Sequence, residues 1–325
     1  MSVIKAELHT HLEGTISPAL AHTLAERNKL QLPDGLISAD GSSYLSNDFL
    51  HFLSVYDTVA DLIRTPQDYY DITFDYLKSC AAGGAIYVEM MYSPDHAEKA
   101  SDIPSIEHLQ VIQQACDDAE AKFGIVGRII ITAVRHLGSD AAIKVAKAAA
   151  TSSVPCATGF GLGGDEINFP PGLFKRAYEI AATEAGLECT VHAGEFAPAS
   201  GMVEAMDNLP IKRIGHGVQV MHSPETMAMV KDRGIALELC PSSNIKLGLF
   251  KNLAEHPFPK LYEDGFIISI NSDDPPFFST NLKREYDIVQ DAWRYSDEQM
   301  NGITKMAIDM AFVDEDTRKR LYAKL

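Results

Sequence analysis

The sequence has no apolar run that approaches the length of a membrane-spanning helix, which needs about 20 residues. The first residues also lack the apolar segment of a secretory signal peptide, because the chain goes almost at once into a pair of histidines. These absences argue against a membrane protein and against secretion. We therefore expect a cytoplasmic protein with no membrane partner.

Positive charge is scarce. Lys and Arg number 28 against 45 Asp and Glu, which gives a formal net charge of -17. A nucleic-acid backbone or an anionic membrane surface needs a basic face, so neither is expected as a partner. Cysteine is also sparse: the five residues are scattered and form no Cys-x-x-Cys pair, which predicts reduced, mostly buried thiols. They are Cys80, Cys116, Cys156, Cys189 and Cys240.

What is present is typical of an ordinary globular protein, with 46% hydrophobic and 22% charged residues. A chain of 325 residues can form one large domain or two small ones. No linker or shift in composition divides it, so we predict a single domain over 1–325. The sequence carries no signal for the number of subunits.

Short apolar segments with strand character alternate with helical segments along the whole chain. This alternation predicts a parallel sheet, and eight repeats favour a closed (β/α)₈ barrel, also called a TIM barrel. An open doubly wound sheet fits the count less well. The eight predicted strands cover 4–8, 85–92, 125–134, 154–160, 187–191, 213–217, 235–239 and 266–270.

Two additions to the barrel are predicted. Residues 31–64 form an insertion after the first strand, with a loop at 31–43 and an amphipathic helix over 47–63. This insertion is expected beside the active-site face, as a lid or as a packing helix. Residues 279–325 are expected to be helical and to follow the last strand.

A His-x-His pair, His9 and His11, ends the first predicted strand. Residues two apart on a strand point to the same face, so both imidazoles can reach one metal ion. Imidazole suits zinc, and catalytic zinc sites take three protein ligands and keep a position for water. The pair alone is weak evidence, and the case depends on ligands further along the chain.

Further polar residues follow later strands, at the end of a barrel where enzymes carry their chemistry. They are His192, Glu195, His216, Asp273 and Asp274. Taken singly, His216 fits a core histidine and the aspartates fit a turn, but their joint placement at strand ends favours a site. His192 or Asp273 could complete a zinc site, and Glu195 is placed to carry protons.

Five motifs occur in the order seen in the adenosine/adenine deaminase family of the amidohydrolase superfamily. They are Glu-Leu-His-x-His-Leu-Glu-Gly, Gly-Gly-Asp-Glu, His-Ala-Gly-Glu, Gly-His-Gly and Ser-Asp-Asp-Pro. The resemblance runs from Lys5 to about Pro275. It implies a zinc-bearing (β/α)₈ barrel, an aminohydrolase of the EC 3.5.4 class that removes the 6-amino group of a small purine.

The same resemblance implies roles for individual residues. One zinc ion per chain would be held by His9, His11, His192 and Asp273. Glu195 would protonate purine N1, and His216 would orient and help deprotonate the zinc-bound water. The backbone N–H of Gly164 would meet purine N3, and Asp274 would meet N7.

The chemistry agrees with these roles. Zinc lowers the pKa of bound water from about 16 to near 7, so hydroxide is available to attack C6 of the purine. The attack moves electrons onto N1, which must then take up a proton. A protonated Glu195 can supply it, because burial raises the pKa of a carboxyl group. Asp273 can accept from the water, and ammonia leaves.

Other functions fit the sequence less well. Cytidine-type zinc deaminases carry Pro-Cys-x-x-Cys, which this chain lacks. The Gly161-x-Gly163-Gly164 run lacks the Lys-Ser/Thr of a phosphate loop. A non-catalytic purine-binding relative is disfavoured by the intact set of ligand-type residues and Glu195. An amidohydrolase acting on a pterin or a modified adenine stays open.

Glu13 bears on the choice between adenosine and adenine. Adenosine deaminases typically carry Asp at this place in the motif, where it accepts a hydrogen bond from the ribose 5′-hydroxyl, and many adenine deaminases carry Glu. The extra methylene crowds the ribose or reaches the same hydroxyl across a wider rim, unless Glu13 faces away from the pocket and pairs with a nearby cation. Because the motifs are common to both activities, we expect adenosine or 2′-deoxyadenosine, giving inosine or 2′-deoxyinosine, slightly ahead of adenine, giving hypoxanthine.

Overall fold

Eight parallel strands, hydrogen-bonded in chain order, form the centre of the molecule. The computed structural model describes residues 3–47 and 49–325, so position 48 of the predicted 47–63 helix lies outside the described residues. The strands are β1 (Lys5–Glu7), β2 (Ala85–Tyr92), β3 (Val126–Val134), β4 (Ala157–Gly163), β5 (Glu188–Ala193), β6 (Arg213–His216), β7 (Ala236–Leu239) and β8 (Ile268–Ile270).

Fourteen α-helices surround the strands in the described part of the chain. They are α1 (Pro18–Asn28), α2 (Phe49–Ala60), α3 (Pro66–Ala82), α4 (Pro94–Ser101), α5 (Ser105–Phe123), α6 (Ser139–Ser152), α7 (Lys175–Thr183), α8 (Ala199–Asn208), α9 (Pro224–Asp232), α10 (Pro241–Lys246), α11 (Phe258–Glu263), α12 (Leu282–Trp293), α13 (Asp297–Met310) and α14 (Glu315–Tyr322).

The first and last strands meet at the residues predicted to bind metal. The Asp273 amide donates to the His9 carbonyl at 3.2 Å, and the His11 amide donates to the Asp273 carbonyl at 3.1 Å. These bonds bring the sheet to a nearly closed barrel, which confirms the predicted (β/α)₈ fold. The single-domain organisation over 1–325 stays a prediction.

Local sequence explains where several helices begin. Ser17 caps α1 by accepting from the Leu20 amide, and Pro18 occupies the first helical position, where its missing N–H is not needed. Thr65 caps α3 in the same way by accepting from the Asp68 amide, and the Thr65 amide donates to the Asp68 carboxylate.

The predicted and observed elements differ in a few places. The fourth strand starts at Ala157 rather than Val154, because residues 154–157 form a turn in which the Ala157 amide donates to the Val154 carbonyl at 3.0 Å. Pro155 has no N–H to give to a strand ladder.

Three short helices, α4, α10 and α11, were not predicted.

The two additions to the barrel lie at opposite ends. Residues of α13 and α14 pack with Ala6, Leu8 and Tyr87 in one buried cluster, so the C-terminal helices close the amino end. At the carboxyl end, the Phe52 ring of α2 lies 5.2 Å from Phe278, just beyond β8. The insertion therefore packs on the face where the strands end.

No helix within residues 3–47 and 49–325 is both long and apolar enough to cross a membrane. The five cysteines are all buried and unbridged, as predicted.

Candidate functional site

A cavity of about 400 Å³ opens at the carboxyl end of the barrel. Seven of the nine residues singled out in the sequence line it, although they come from five strand ends. They are His11, Gly164, His192, Glu195, His216, Asp273 and Asp274. His9 and Glu13 are buried nearby and do not line the cavity.

Three imidazoles converge at the floor of this cavity. One ring nitrogen each from His9, His11 and His192 lies within 4.8 Å of the others. The Nε2 atoms of His11 and His192 are 3.3 Å apart. Asp273 Oδ1 lies 3.4 Å from His11 Nε2 and 3.6 Å from His9 Nε2, so a carboxylate completes the group.

The hydrogen bonds behind two of these rings fix which nitrogen faces the centre. His9 Nδ1 lies 2.8 Å from Glu238 Oε2, and His192 Nδ1 lies 3.0 Å from the Leu162 carbonyl. A carboxylate and a carbonyl can only accept, so both Nδ1 atoms donate and both Nε2 atoms are unprotonated in the neutral rings. Metal-binding histidines are oriented in this way.

The electrostatics of His11 and His192 fit a metal ion directly, whereas His9 differs. Although burial lowers the pKa of His9, its contacts with Asp273 and Glu238 raise it to about 10, so a metal ion would displace a proton there. Burial lowers the pKa of His11 to about 4 and places the pKa of His192 well below its ordinary value, so both imidazoles are neutral near pH 7, as metal binding requires. His9 Nε2 is buried without a hydrogen-bond partner, which is unfavourable unless a ligand binds there. The residues present therefore fit a divalent metal.

Glu238 is held by a chain of buried charges inside the barrel. Arg213 donates through Nε to Glu238 Oε1 at 2.6 Å and through Nη2 to Glu89 Oε2 at 2.5 Å, and all three side chains are fully buried. The charge of Arg213 and the bond from His9 hold the pKa of Glu238 below its ordinary value although burial opposes this. His9 is thus oriented by an ionised carboxylate.

A second chain of hydrogen bonds determines which ring nitrogen of His216 carries the proton. The Phe258 amide donates to His256 Nδ1 at 3.2 Å, so His256 Nε2 carries a proton and donates to Asn244 Oδ1, also at 3.2 Å. The Asn244 amide group then donates to His216 Nδ1 at 3.1 Å. His216 therefore carries its own proton on Nε2, which lies 3.7 Å from Glu195 Oε2 and 3.9 Å from Asp273 Oδ2.

Two further carboxyl groups of the cavity have raised pKa values. Burial raises the pKa of Glu195 well above its ordinary value, and the charges of Asp273 and Glu166 add to this. Burial and Asp273 do the same to the pKa of Asp274, whose Oδ1 is buried without a partner. A Cβ on Gly14 would lie 1.8 Å from that oxygen, so only glycine fits beside Asp274.

Glu13 lies behind the cavity wall. Its Oε1 accepts from the Tyr69 hydroxyl at 3.0 Å and from the amide of Ser93, a cavity residue, at 3.3 Å. Its Oε2 is buried without a partner, and burial raises its pKa to about 7. Gly164 lines the cavity with φ +97°, a conformation that favours glycine.

Several supporting residues were missed in the sequence. Glu238 is a lone charge in an apolar strand, which is a usable signal for a buried pair. Ser243, which donates to Asp273 Oδ2 at 2.7 Å, and Asn244 both follow strand β7 and could have been found by their position. His256 had no signal in the sequence, because its role depends on a contact made by folding.

Comparisons with known proteins agree with this geometry. The profile of the family described as adenosine deaminase matches residues 4–325. Proteins named adenine deaminase from Chelativorans sp. (strain BNC1) and Mesorhizobium japonicum are 43% and 41% identical to the chain, with 99% of this chain and 98% of each relative covered.

Solved structures of two enzymes share the fold of this chain. The adenine deaminase from Arthrobacter aurescens matches with a TM-score of 0.91 and 30% identity over 99% of this chain and 98% of its own. An amidohydrolase from Burkholderia ambifaria with bound Zn matches with a TM-score of 0.87 and 27% identity, over 99% and 89% of the two chains. The family profile matches the chain from residue 4 to residue 325, and the chain shares its barrel with these enzymes. The chain therefore belongs to the adenosine deaminase family.

Proposed function

We propose that this protein is a zinc-dependent adenine deaminase, which hydrolyses the 6-amino group of adenine and releases hypoxanthine and ammonia. The observation that carries the choice of adenine is the 40–43% identity, over nearly the whole chain, to proteins named adenine deaminase. This identity favours adenine, the alternative substrate, over adenosine, which the motifs alone favour slightly.

The size and charge of the cavity support a small, uncharged substrate. Apolar side chains from α2 and from beyond β8, including Phe52, Tyr56 and Phe278, form one wall, which suits the face of a purine ring. Among the described residues that line the cavity, none is Lys or Arg, and Asp57 and Asp165 add negative charge. A phosphate group would meet no cation there, so a nucleotide substrate is disfavoured.

The metal would be held by His9, His11, His192 and Asp273, and one zinc ion per chain is proposed. When bound, zinc supplies a Lewis acid that makes water nucleophilic near neutral pH. Imidazole nitrogen with one carboxylate is a ligand set typical of catalytic zinc.

The residues around the metal position would carry the protons. The raised pKa of Glu195 favours its protonated form, and Glu195 would donate to purine N1 as C6 is attacked. Asp273 would accept the proton released by the attacking water. His216, with its proton on Nε2, would act as a hydrogen-bond donor that orients this water rather than as the base that deprotonates it.

Asp274 and Gly164 both line the cavity, where they could meet a purine ring. Asp274 Oδ1 is buried without a hydrogen-bond partner, and the raised pKa of Asp274 favours a protonated carboxyl group that can donate to N7. We propose that Asp274 meets N7 in this way and that the Gly164 N–H meets N3. Glu13, which bonds to the amide of Ser93 in the cavity wall, would limit the room for a ribose.

A substrate panel tests the proposed function. Adenine, adenosine, 2′-deoxyadenosine and N6-substituted adenines are each followed by ammonia release with the zinc-loaded enzyme. We expect kcat/KM to be highest for adenine. A higher value for a nucleoside would overturn the choice of adenine, and absence of turnover on the whole panel would overturn the proposal of a deaminase for 6-aminopurines.

Substituting Glu13 tests how the sugar is excluded. Glu13→Asp withdraws the carboxylate by roughly 1.5 Å, which should open the wall behind Ser93. We expect kcat/KM for adenosine to rise relative to adenine by at least about threefold, since pockets discriminate on such contacts. The matched variant Glu13→Gln keeps the length and removes the charge, so a size effect should appear only with Asp. An unchanged ratio with Asp would show that Glu13 does not limit the sugar.

A further inference from the structure

The loop that carries Glu195 is held by a single buried carboxylate. Glu166 lies just after β4 and is 6% exposed. Its two oxygens accept from four consecutive backbone amides, those of residues 194–197. Oε1 accepts from Gly194, and Oε2 accepts from Glu195, Phe196 and Ala197 at 3.1, 2.9 and 3.1 Å.

This arrangement is an anion-binding nest built within the chain. Successive amides that point to one side form a concave site for negative charge, and the side chain of Glu166 occupies it. Gly194 makes the turn possible, because its φ is +71° and a Cβ there would lie 2.5 Å from Met202 Sδ. Four N–H donors need an acceptor that carries no hydrogen, so an ionised carboxylate is the group that fits.

Arg135 also connects these segments, through two backbone carbonyls. Its guanidinium donates to the His192 carbonyl and, at 2.8 Å, to the Phe169 carbonyl in the loop after β4. Arg135 is fully buried, and burial lowers the pKa of its guanidinium. The negative charge of Glu166 acts in the opposite direction and raises this pKa. The loops after β3, β4 and β5 are therefore joined by one buried cation and one buried anion.

The side chain of Glu195 enters the cavity from the loop that Glu166 holds. Glu195 lines the cavity, whereas Glu166 does not, so Glu166 can affect the reaction only through another group or through charge. We propose that Glu166 is a positioning residue, whose bonds to residues 194–197 place the Glu195 carboxyl group for proton transfer. This inference rests on the role given to Glu195 in the proposed function.

The test is a double-mutant cycle on adenine turnover with Glu166→Gln and Glu195→Gln. Glutamine offers only one acceptor oxygen and turns an NH₂ group toward the amides, so the loop loses its anchor. Because a displacement of about 1 Å can lower a rate roughly a hundredfold, we expect Glu166→Gln to lower kcat at least about tenfold with metal content unchanged. In the Glu195→Gln background, the same substitution should lower kcat by less than about twofold, because residues that act as a unit are not additive.

Glu204→Gln is the matched control. Glu204 Oε1 accepts from one backbone amide, that of Gly172, at 3.1 Å, and Glu204 does not line the cavity. This variant should keep a normal kcat, which would show that a Glu→Gln change at an amide contact is not harmful in itself. Glu166→Asp, which keeps both oxygens on a shorter side chain, is run through the same cycle in case Glu166→Gln does not fold.

The outcomes separate this inference from the proposed function. A near-normal kcat for Glu166→Gln, or an equal loss in both backgrounds, would overturn the positioning role while Glu195 keeps its own. A near-normal rate for Glu195→Gln would instead overturn the role of Glu195, and this inference with it. If neither Glu166 variant folds, the carboxylate supports the fold rather than the acid, and the proposal is equally overturned.

Discussion

Replacing His192 or Asp273 by alanine is expected to remove the bound zinc and nearly all activity. Both residues belong to the group whose nitrogens and carboxylate oxygen converge at the cavity floor. A metal ion supplies several kcal/mol of stabilisation to a hydrolytic transition state. Since each 1.4 kcal/mol, approximately, is a factor of ten in rate, we expect the rate to fall at least about a thousandfold. Metal analysis of each purified variant should find well below one equivalent.

The control variants separate loss of a ligand from damage to the fold. Asp273 has φ +63°, a conformation in which alanine is strained and asparagine is tolerated. Asp273→Asn therefore removes the charge with little backbone strain and should also lose metal. His22→Ala, at an exposed position on α1, should keep one equivalent. Full metal content in His192→Ala and Asp273→Asn would place the metal elsewhere.

The sequence was most informative where a strand ends. Parallel strands of a barrel must all finish at one rim, so His192, Glu195, His216 and Asp273 could be placed together although they are far apart in the chain. The spacing of His9 and His11 likewise follows from the two-residue period of a strand. These inferences succeeded because strand direction and side-chain alternation are local properties of the backbone.

The supporting contacts could not be predicted in the same way. Glu166 is the last residue of the Gly-Gly-Asp-Glu motif, yet its partners are amides of residues 194–197, and an amide is present at every non-proline position. Glu238 and Arg213 pair inside the barrel only because β6 and β7 are neighbours in a particular register. Glu13 was expected at the substrate, and the folded chain places it against Tyr69 and Ser93.

Glu195→Gln is expected to lower kcat by at least about a hundredfold, the usual scale for a positioned general acid. Glutamine has nearly the same shape as glutamic acid and can still donate a hydrogen bond, but it cannot release a proton to purine N1. Metal content and melting temperature should therefore stay at the values of the unsubstituted protein. Substrate binding should change little, because the proton moves only as the ring is attacked.

The raised pKa of Glu195 makes the expected effect depend on pH in a defined direction. Burial favours the protonated form, so the acid is present at neutral pH, and its contribution is lost as the pH rises through the raised pKa. The advantage of the unsubstituted protein over Glu195→Gln should thus be largest near neutral pH and shrink in alkaline solution. Glu188→Gln, at the opposite end of β5 in a surface pair with Lys212, should have a normal rate throughout. A Glu195→Gln rate within a few-fold of normal at neutral pH would assign the proton donor to another group.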